Sequence, residues 1–358
     1  MLPIRAPVTP MLAQPVAAIP AGMAYEPKWD GFRCLVFRDG DAVELWSRGG
    51  KAMGAHFPEL VAGVLAGTPD QCVLDGEMVI IVGDRIEFGR LGERANSSAA
   101  RAKEQARTLP ASLMLWDILA LGDRDLTSEP FARRRVLLED ALAAAVPPVF
   151  CSPLTLDLEV AEHWFAQFEG AGLDGVIAKP LDGRYLPGQR AMYKVKHLRE
   201  ADVVVGAYRE HKSSSAARPL LGGLHLGLYD GAGELHWVGA VSGFPDAMRA
   251  ALIDMLAELV VVPGTPEWAG HPWHDQQRPG GPRRPGGAVR WGSPEDRVYH
   301  LIDPLLVATV NYDFMEGNRF RSAARFVRWR PDRDPRSCTF DQLEAPVSYN
   351  LAQILAQS

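Results

Sequence analysis

Lysine is scarce in this 358-residue sequence: of its 38 basic residues only seven are Lys (Lys28, Lys51, Lys103, Lys179, Lys194, Lys196 and Lys212), and the rest are Arg. A guanidinium stays protonated, so a chain this poor in lysine still needs Lys wherever chemistry calls for an amine that can lose its proton. Cysteine is equally thin. Cys34, Cys72, Cys151 and Cys338 lie far apart with no C-x-x-C pair, which argues against a zinc site and a disulfide framework and fits a reducing cytoplasm. No uncharged run is long enough to span a bilayer, and the prolines in MLPIRAPVTPMLAQPVAAIP leave no apolar core of the kind a signal peptide needs. An excess of positive charge is missing too. The formal net charge is −6, so a nucleic-acid partner would have to be held by local basic patches. With 47% hydrophobic and 23% charged residues, disorder and fibrous folds are excluded, and the length predicts two domains.

The pattern from Met23 to Arg48 is one of short strands with an Asp39-Gly40-Asp41 turn, a β-meander. A helix is predicted at Phe57–Leu65, strands at Cys72–Val82 and Leu113–Leu121, helices at Pro130–Ala145 and Leu158–Gly170, and strands at Gly175–Lys179 and Met192–Lys196. After His197 the texture changes. VVVGAY, LLGGLHLGLY and ELHWVGAVSGF are closely spaced strand-like runs, as at the start of a small antiparallel barrel. A helix at Pro245–Leu259, a Pro/Gly/Arg-dense loop at 263–290, and strands at Arg297–Val310 and Ala324–Trp329 complete it. The expected division is 1–199 and 200–358, the second domain carrying the 263–290 insertion.

The most informative segment is Glu26-Pro27-Lys28-Trp29-Asp30-Gly31-Phe32-Arg33. It sets a lysine at a strand end, a carboxylate two residues on, a glycine for a tight turn and an arginine beyond. Partly buried among other cations, such a lysine becomes a nucleophile near neutral pH. Alone, K-x-D-G fits equally a solvated lysine on a strand edge. It is not alone: Ser47-Arg48-Gly49, Leu74-Asp75-Gly76-Glu77, Trp116-Asp117, Asp174-Gly175-Val176-Ile177-Ala178-Lys179 and Lys194-Val195-Lys196 follow in order. This series resembles the motifs of the covalent nucleotidyltransferases. Within that superfamily the chain resembles an ATP-dependent DNA ligase, nearest the compact, stand-alone actinobacterial ligase C type, including its PMLA and RFVRWRPDRDP stretches.

The resemblance implies an α+β fold: an adenylation domain of antiparallel sheets with flanking helices, followed by an OB-fold β-barrel that binds DNA. It implies that Lys28 takes AMP from ATP as a phosphoramidate, passes it to the 5′-phosphate of nicked duplex DNA, and that the 3′-hydroxyl then displaces it. Glu26 would accept a hydrogen bond from the adenine amino group. Arg33 and Arg48 would bind ribose or phosphate, and Trp116 would stack on adenine where the family usually has Phe. Glu77 and Asp174 would serve ribose and Mg²⁺, with Mn²⁺ as a substitute. Asp174 stands where the family mostly has Glu, a shorter reach that favours contact through water. Lys179, Lys194 and Lys196 would supply point charges near the α-phosphate and pyrophosphate. Arg330 and Arg333 match the last family motif, R-x-D-K, with Arg333 in place of Lys. That segment would orient pyrophosphate during lysine adenylation. A cytoplasmic, nucleoid-associated monomer acting in DNA repair and recombination is expected, with other repair proteins as possible partners.

Around that motif, between Glu316 and Arg336, seven arginines interleave with Phe320, Phe326 and Trp329, a pattern suited either to phosphate contacts with aromatic platforms or to an ordinary solvated strand. His271-Pro-Trp-His274 reads as a surface loop, not a metal pair. Arg133-Arg134-Arg135 reads as a solvated helix face or a duplex-phosphate site, and Arg283, Arg284 and Arg290 as further DNA contacts. The alternatives are an RNA ligase, an mRNA-capping-type guanylyltransferase, and a nucleic-acid-binding OB protein with an inactive transferase domain. Glu26 argues against guanine, whose carbonyl it would repel.

Overall fold

The computed structural model describes residues 1–274, 281–285, 298–343 and 351. The chain forms two compact units that meet in sequence between His197 and Leu198. Leu351 belongs to the first, where its N–H donates to the Asp84 carbonyl at 3.0 Å.

The first unit begins with β1 (Leu12–Pro15), β2 (Ala24–Pro27), β3 (Phe32–Asp39), β4 (Ala42–Ser47), α1 (Pro58–Gly67), β5 (Gln71–Val82) and β6 (Arg85–Ile86). Then follow α2 (Phe88–Ala95), α3 (Ala99–Thr108), β7 (Ala111–Leu121), β8 (Arg124–Asp125) and α4 (Phe131–Ala141). The unit continues with β9 (Val149–Cys151), α5 (Leu158–Gln167), β10 (Val176–Lys179) and β11 (Arg190–Val195). One sheet runs β4-β3-β5-β7-β8, the other β1-β11-β10-β2. Pairing is antiparallel except for β1 on β11 and β9 on β7. The larger sheet is covered on both faces, which explains its nearly unbroken apolar strands. Along β3, Cys34 and Val36 join a core with Leu60 and Val64 of α1 and Leu138 of α4, while Leu35 and Phe37 join Met11 and Met192 on the opposite face.

The second unit holds β12 (Arg199–Glu210), β13 (Leu221–Tyr229), β14 (Leu235–Ser242), α6 (Asp246–Ala257), α7 (Pro266–Gly270) and β15 (His300–Tyr312). The short pair β16 (Met315–Glu316) and β17 (Arg319–Phe320) precedes β18 (Arg325–Trp329). The antiparallel order is β14-β13-β12-β15-β18, and a bridge from Ala324 to Val241 brings the chain ahead of β18 back to β14. The sheet thus curls on itself around one core, as the OB expectation required.

Two sequence expectations change here, and a stretch with no predicted element gains two helices. The polar stretch before β7 forms helices α2 and α3, the latter capped by the Ser98 hydroxyl accepting from Arg101 N–H. The His271–His274 segment is not a surface loop. His271 is 3% exposed with its ring on the Ile302 carbonyl at 3.0 Å, and Trp273 is a core residue donating to the Leu235 carbonyl at 2.8 Å. The aromatics near the C-terminal arginines are not open platforms either: Phe320 is buried, and Phe326 and Trp329 pack against the barrel core. Arg325 and Arg328 remain exposed. Arg290 lies outside the described residues.

Candidate active site

The smaller sheet of the first unit, with its strand ends, gathers half of the candidate residues: Glu26, Lys28, Asp174, Lys179, Lys194 and Lys196. Register sets Glu26 of β2 opposite Ile177 of β10, and Ile177 opposite Lys194 of β11, so this row shares one face. Lys179 lies two residues from Ile177, and Lys28 and Lys196 follow just past the ends of their strands.

Lys28 is fixed by its backbone first. Its N–H donates to the Gly175 carbonyl at 2.9 Å, and its carbonyl accepts from Asp174 N–H at 2.9 Å. Gly175 has φ +108°, and a Cβ there would lie 2.0 Å from the Val195 carbonyl oxygen, so only glycine lets the Asp174 segment approach this closely. The consequence is a three-charge cluster. Asp174 Oδ2 stands 2.6 Å from Lys28 Nζ and 2.7 Å from Lys196 Nζ, with all three side chains mostly shielded. Burial works against the Asp174 charge, but the two ammonium groups outweigh it and hold the carboxyl below its ordinary value. Lys194 completes the group: burial, reinforced by Lys28 and Lys196, lowers its ammonium from the usual lysine range.

The structure sets Lys179 apart from this cluster. It is buried, with Nζ 2.7 Å from Glu26 Oε2 and 4.6 Å from the centre of the Phe131 ring. Burial pushes the Glu26 carboxyl up, and Lys179 and Arg135 pull against it. Among the described residues, the buried Glu26 Oε1 has no hydrogen-bond partner.

Trp116, 8% exposed, has the Arg33 guanidinium 4.7 Å from its ring centre and Lys179 Nζ 5.6 Å away. The Arg33 fork is already engaged. Its Nε donates to Asp75 Oδ1 at 2.5 Å and its Nη2 to Asp75 Oδ2, while Tyr185 donates to Asp75 Oδ2 at 2.7 Å. Glu77, opposite Arg33 in the sheet, accepts from Gly31 N–H at 3.2 Å; burial pushes its carboxyl up to about 7 against the pull of Arg33 and Lys28. Arg48 is exposed in the turn after β4 and is not drawn into the cluster.

The Arg133–Arg135 run overturns its sequence reading. Only Arg133 is exposed. Arg134 is 0% exposed and grips Asp117 with two parallel bonds of 2.7 and 2.9 Å, and Arg135 is buried beside Glu26. Sequence reasoning missed these partners, along with Asp75 and Tyr185. An apolar-flanked carboxylate directly after Trp116 was the available signal for a buried counter-ion.

In the second unit Arg330 donates to Asp332 through Nε and Nη2, at 2.9 and 2.8 Å, and to Asp202 Oδ2 through Nη1 at 2.8 Å. Arg330 holds the Asp332 carboxyl down at about 2. Arg333 Nε lies 3.7 Å from the same Asp202 oxygen, and Thr309 donates to Asp202 Oδ1 at 2.6 Å. Asp202 and Thr309 were not legible as partners of this motif.

A lysine just past its strand end, held by Asp174 beside Lys194 and Lys196, and a following small barrel fit the nucleotidyltransferase resemblance of the sequence. Comparison with known proteins agrees: residues 10–196 match the ATP dependent DNA ligase domain and residues 217–333 the ATP dependent DNA ligase C terminal region. The chain belongs to the ATP-dependent DNA ligase family and is a DNA ligase. It is 50% identical over 349 residues to DNA ligase C2 of Mycolicibacterium smegmatis, covering 96% of each chain. To DNA ligase C of Mycobacterium tuberculosis it is 46% identical over 360 residues, covering 99% of this chain and 98% of that one. A solved structure of a Lig E DNA ligase shares the fold at 18% identity, with a TM-score of 0.55 over 89% of this chain and 99% of that one. Among the described residues no helix is long and apolar enough to cross a membrane.

Proposed function

We propose that this ligase seals 5′-phosphate/3′-hydroxyl nicks in duplex DNA through a covalent Lys28–AMP intermediate. The observation that carries the reading is the position of Lys28 Nζ, held by Asp174 at 2.6 Å within a ring that also contains Lys194 and Lys196. Lys28 Nζ, having lost a proton, forms an N–P bond to the α-phosphate of ATP as the bond to pyrophosphate breaks. Lys194 and Lys196 supply compact positive charge for the phosphates, and Asp174 aims the nucleophile. The 5′-phosphate of the nick then takes the AMP, and the 3′-hydroxyl displaces AMP as the phosphodiester forms.

Glu26, whose Oε1 has no hydrogen-bond partner among the described residues, supports adenine recognition, and Trp116 and Lys179 line the base end with it. Glu77 and Asp174 fit a hard divalent cation such as Mg²⁺ only together with water and nucleotide oxygens. Among the described residues no group of three or more His, Cys, Asp or Glu side chains is gathered for a metal. Mg²⁺ brought in with ATP would neutralise triphosphate charge, and Mn²⁺ suits the same oxygen donors. Arg330 and Arg333 carry charge toward pyrophosphate, and Arg48, exposed, is free to meet the 5′-phosphate of the nick. A role in DNA repair is part of this proposal and rests on the resemblance to the ligase C proteins.

Incubation with α-labelled ATP and Mg²⁺ tests the reading. The expected result is label that survives denaturation and is absent from Lys28→Ala; label from GTP and none from ATP would sink it.

A further inference from the structure

The buried part of the Arg133–Arg135 run has no place in the reaction as described. Arg134 is sealed in its pair with Asp117, whereas Arg135 reaches the carboxylate on which base recognition rests. Two of its guanidinium nitrogens are pinned. Nε donates to Glu139 Oε1 at 2.7 Å, and Nη2 donates to the Ser152 carbonyl at 2.7 Å. The Ser152 hydroxyl accepts from Trp29 Nε1 at 2.8 Å, so that anchor is itself braced. A planar guanidinium fixed at two nitrogens has its third direction set as well.

That third nitrogen, Nη1, lies 3.5 Å from Glu26 Oε1. Both atoms are buried, and among the described residues neither has a hydrogen-bond partner. The other Glu26 oxygen is taken by Lys179 at 2.7 Å. The carboxylate is therefore compensated from two sides while one of its oxygens keeps its accepting capacity. A buried carboxylate with one cation alone would turn both oxygens to that cation or take up a proton, and either change removes the open acceptor.

Resting on the reading of Glu26 as the acceptor for adenine, we propose that Arg135 is a positioning residue for base selection. It keeps Glu26 Oε1 aimed for the 6-amino group, and so favours ATP over purine nucleotides that present no donor there. Arg135 does not itself touch the reacting phosphates; it acts through Glu26.

The test is the initial rate of self-adenylation with ATP and with purine riboside triphosphate, which lacks the 6-amino group, for the unmodified chain, Glu26→Gln, Arg135→Met and Arg135→Lys. Arg135→Met should raise the KM for ATP about tenfold, the scale of one charge-assisted hydrogen bond, with kcat nearly unchanged and the KM for the analogue unmoved. Arg135→Lys, which keeps the charge, should recover part of the ATP preference, and it carries the test if Arg135→Met fails to fold. Equal rises in both KM values in both variants would overturn the assignment, because a merely structural arginine would harm both nucleotides alike. If Glu26→Gln leaves the ATP preference intact, the reading of Glu26 fails and the role of Arg135 with it. If Glu26→Gln abolishes the preference while both Arg135 variants retain it, the assignment of Arg135 alone fails.

Discussion

Two carboxylates, one in each unit, gather two cations apiece, and they differ in the kind of cation. Asp174 joins Lys28 and Lys196 at 2.6 and 2.7 Å. Asp202 joins Arg330 and Arg333 at 2.8 and 3.7 Å and is steadied by Thr309. Lysine offers a compact charge and an amine that can become a nucleophile; arginine offers a permanent charge on a fork that can be shared between Asp202 and Asp332. Bond making is assigned to the first group and charge delivery to the second. The scarcity of lysine then has a physical meaning under this proposal: of the seven, Lys28 and Lys196 pair with Asp174, Lys194 lies in the same group, and Lys179 pairs with Glu26.

The contrast is broken most directly by putting the wrong cation in the first group. Lys28→Arg keeps the charge but supplies no amine, and self-adenylation should fall on the order of 10⁴-fold or more, as for loss of a catalytic nucleophile. Retained labelling would show that Lys28 acts only as a charge. The fully buried Arg134–Asp117 pair is a structural control that no nucleotide needs to touch. Arg134→Met leaves Asp117 uncompensated and should cost about 3–5 kcal/mol of stability, read by denaturant unfolding.

Smaller effects sharpen the second half of the comparison. Arg330→Ala should slow self-adenylation by about one to two orders of magnitude while sealing of pre-adenylated nicks is largely kept, since the charge is needed only when pyrophosphate leaves. Equal loss in both assays would count against that division. Asp202→Asn removes the anchor and not the arginine, so its effect on the first step should be smaller, about threefold to tenfold. Least of all, Arg325→Ala and Arg328→Ala on the exposed side of β18 should each make the salt dependence of DNA binding shallower by about one unit of log–log slope. Unchanged slopes would leave those two as ordinary solvated residues.

Much of this was legible in the sequence because strand chemistry is local. A period of two put Glu26 and Lys28 on one face, as it did Lys194 and Lys196, and the order of short motifs brought their strands together. What stayed hidden depends on distant partners. Arg134 and Arg135 look like any polar helix face until Asp117, Glu26 and Ser152 are seen around them. The α3 sequence AARAKEQART has almost no apolar stripe to betray a helix, burying only Ala102. Trp273 sits in a Pro/Gly-rich stretch, yet it fills space left by two strand glycines: a Cβ at Gly206 or Gly227 would lie within 3 Å of its ring. Paired glycines inside strands were the one signal for that burial.

The most direct test of the central claim is peptide mapping of the protein after reaction with ATP and Mg²⁺, read by mass spectrometry under conditions that preserve a phosphoramidate. One AMP on the peptide carrying Lys28, and none on the peptides carrying Lys179, Lys194 or Lys196, is the predicted result. AMP on another lysine, or a fully active ligase that never carries AMP, would contradict it.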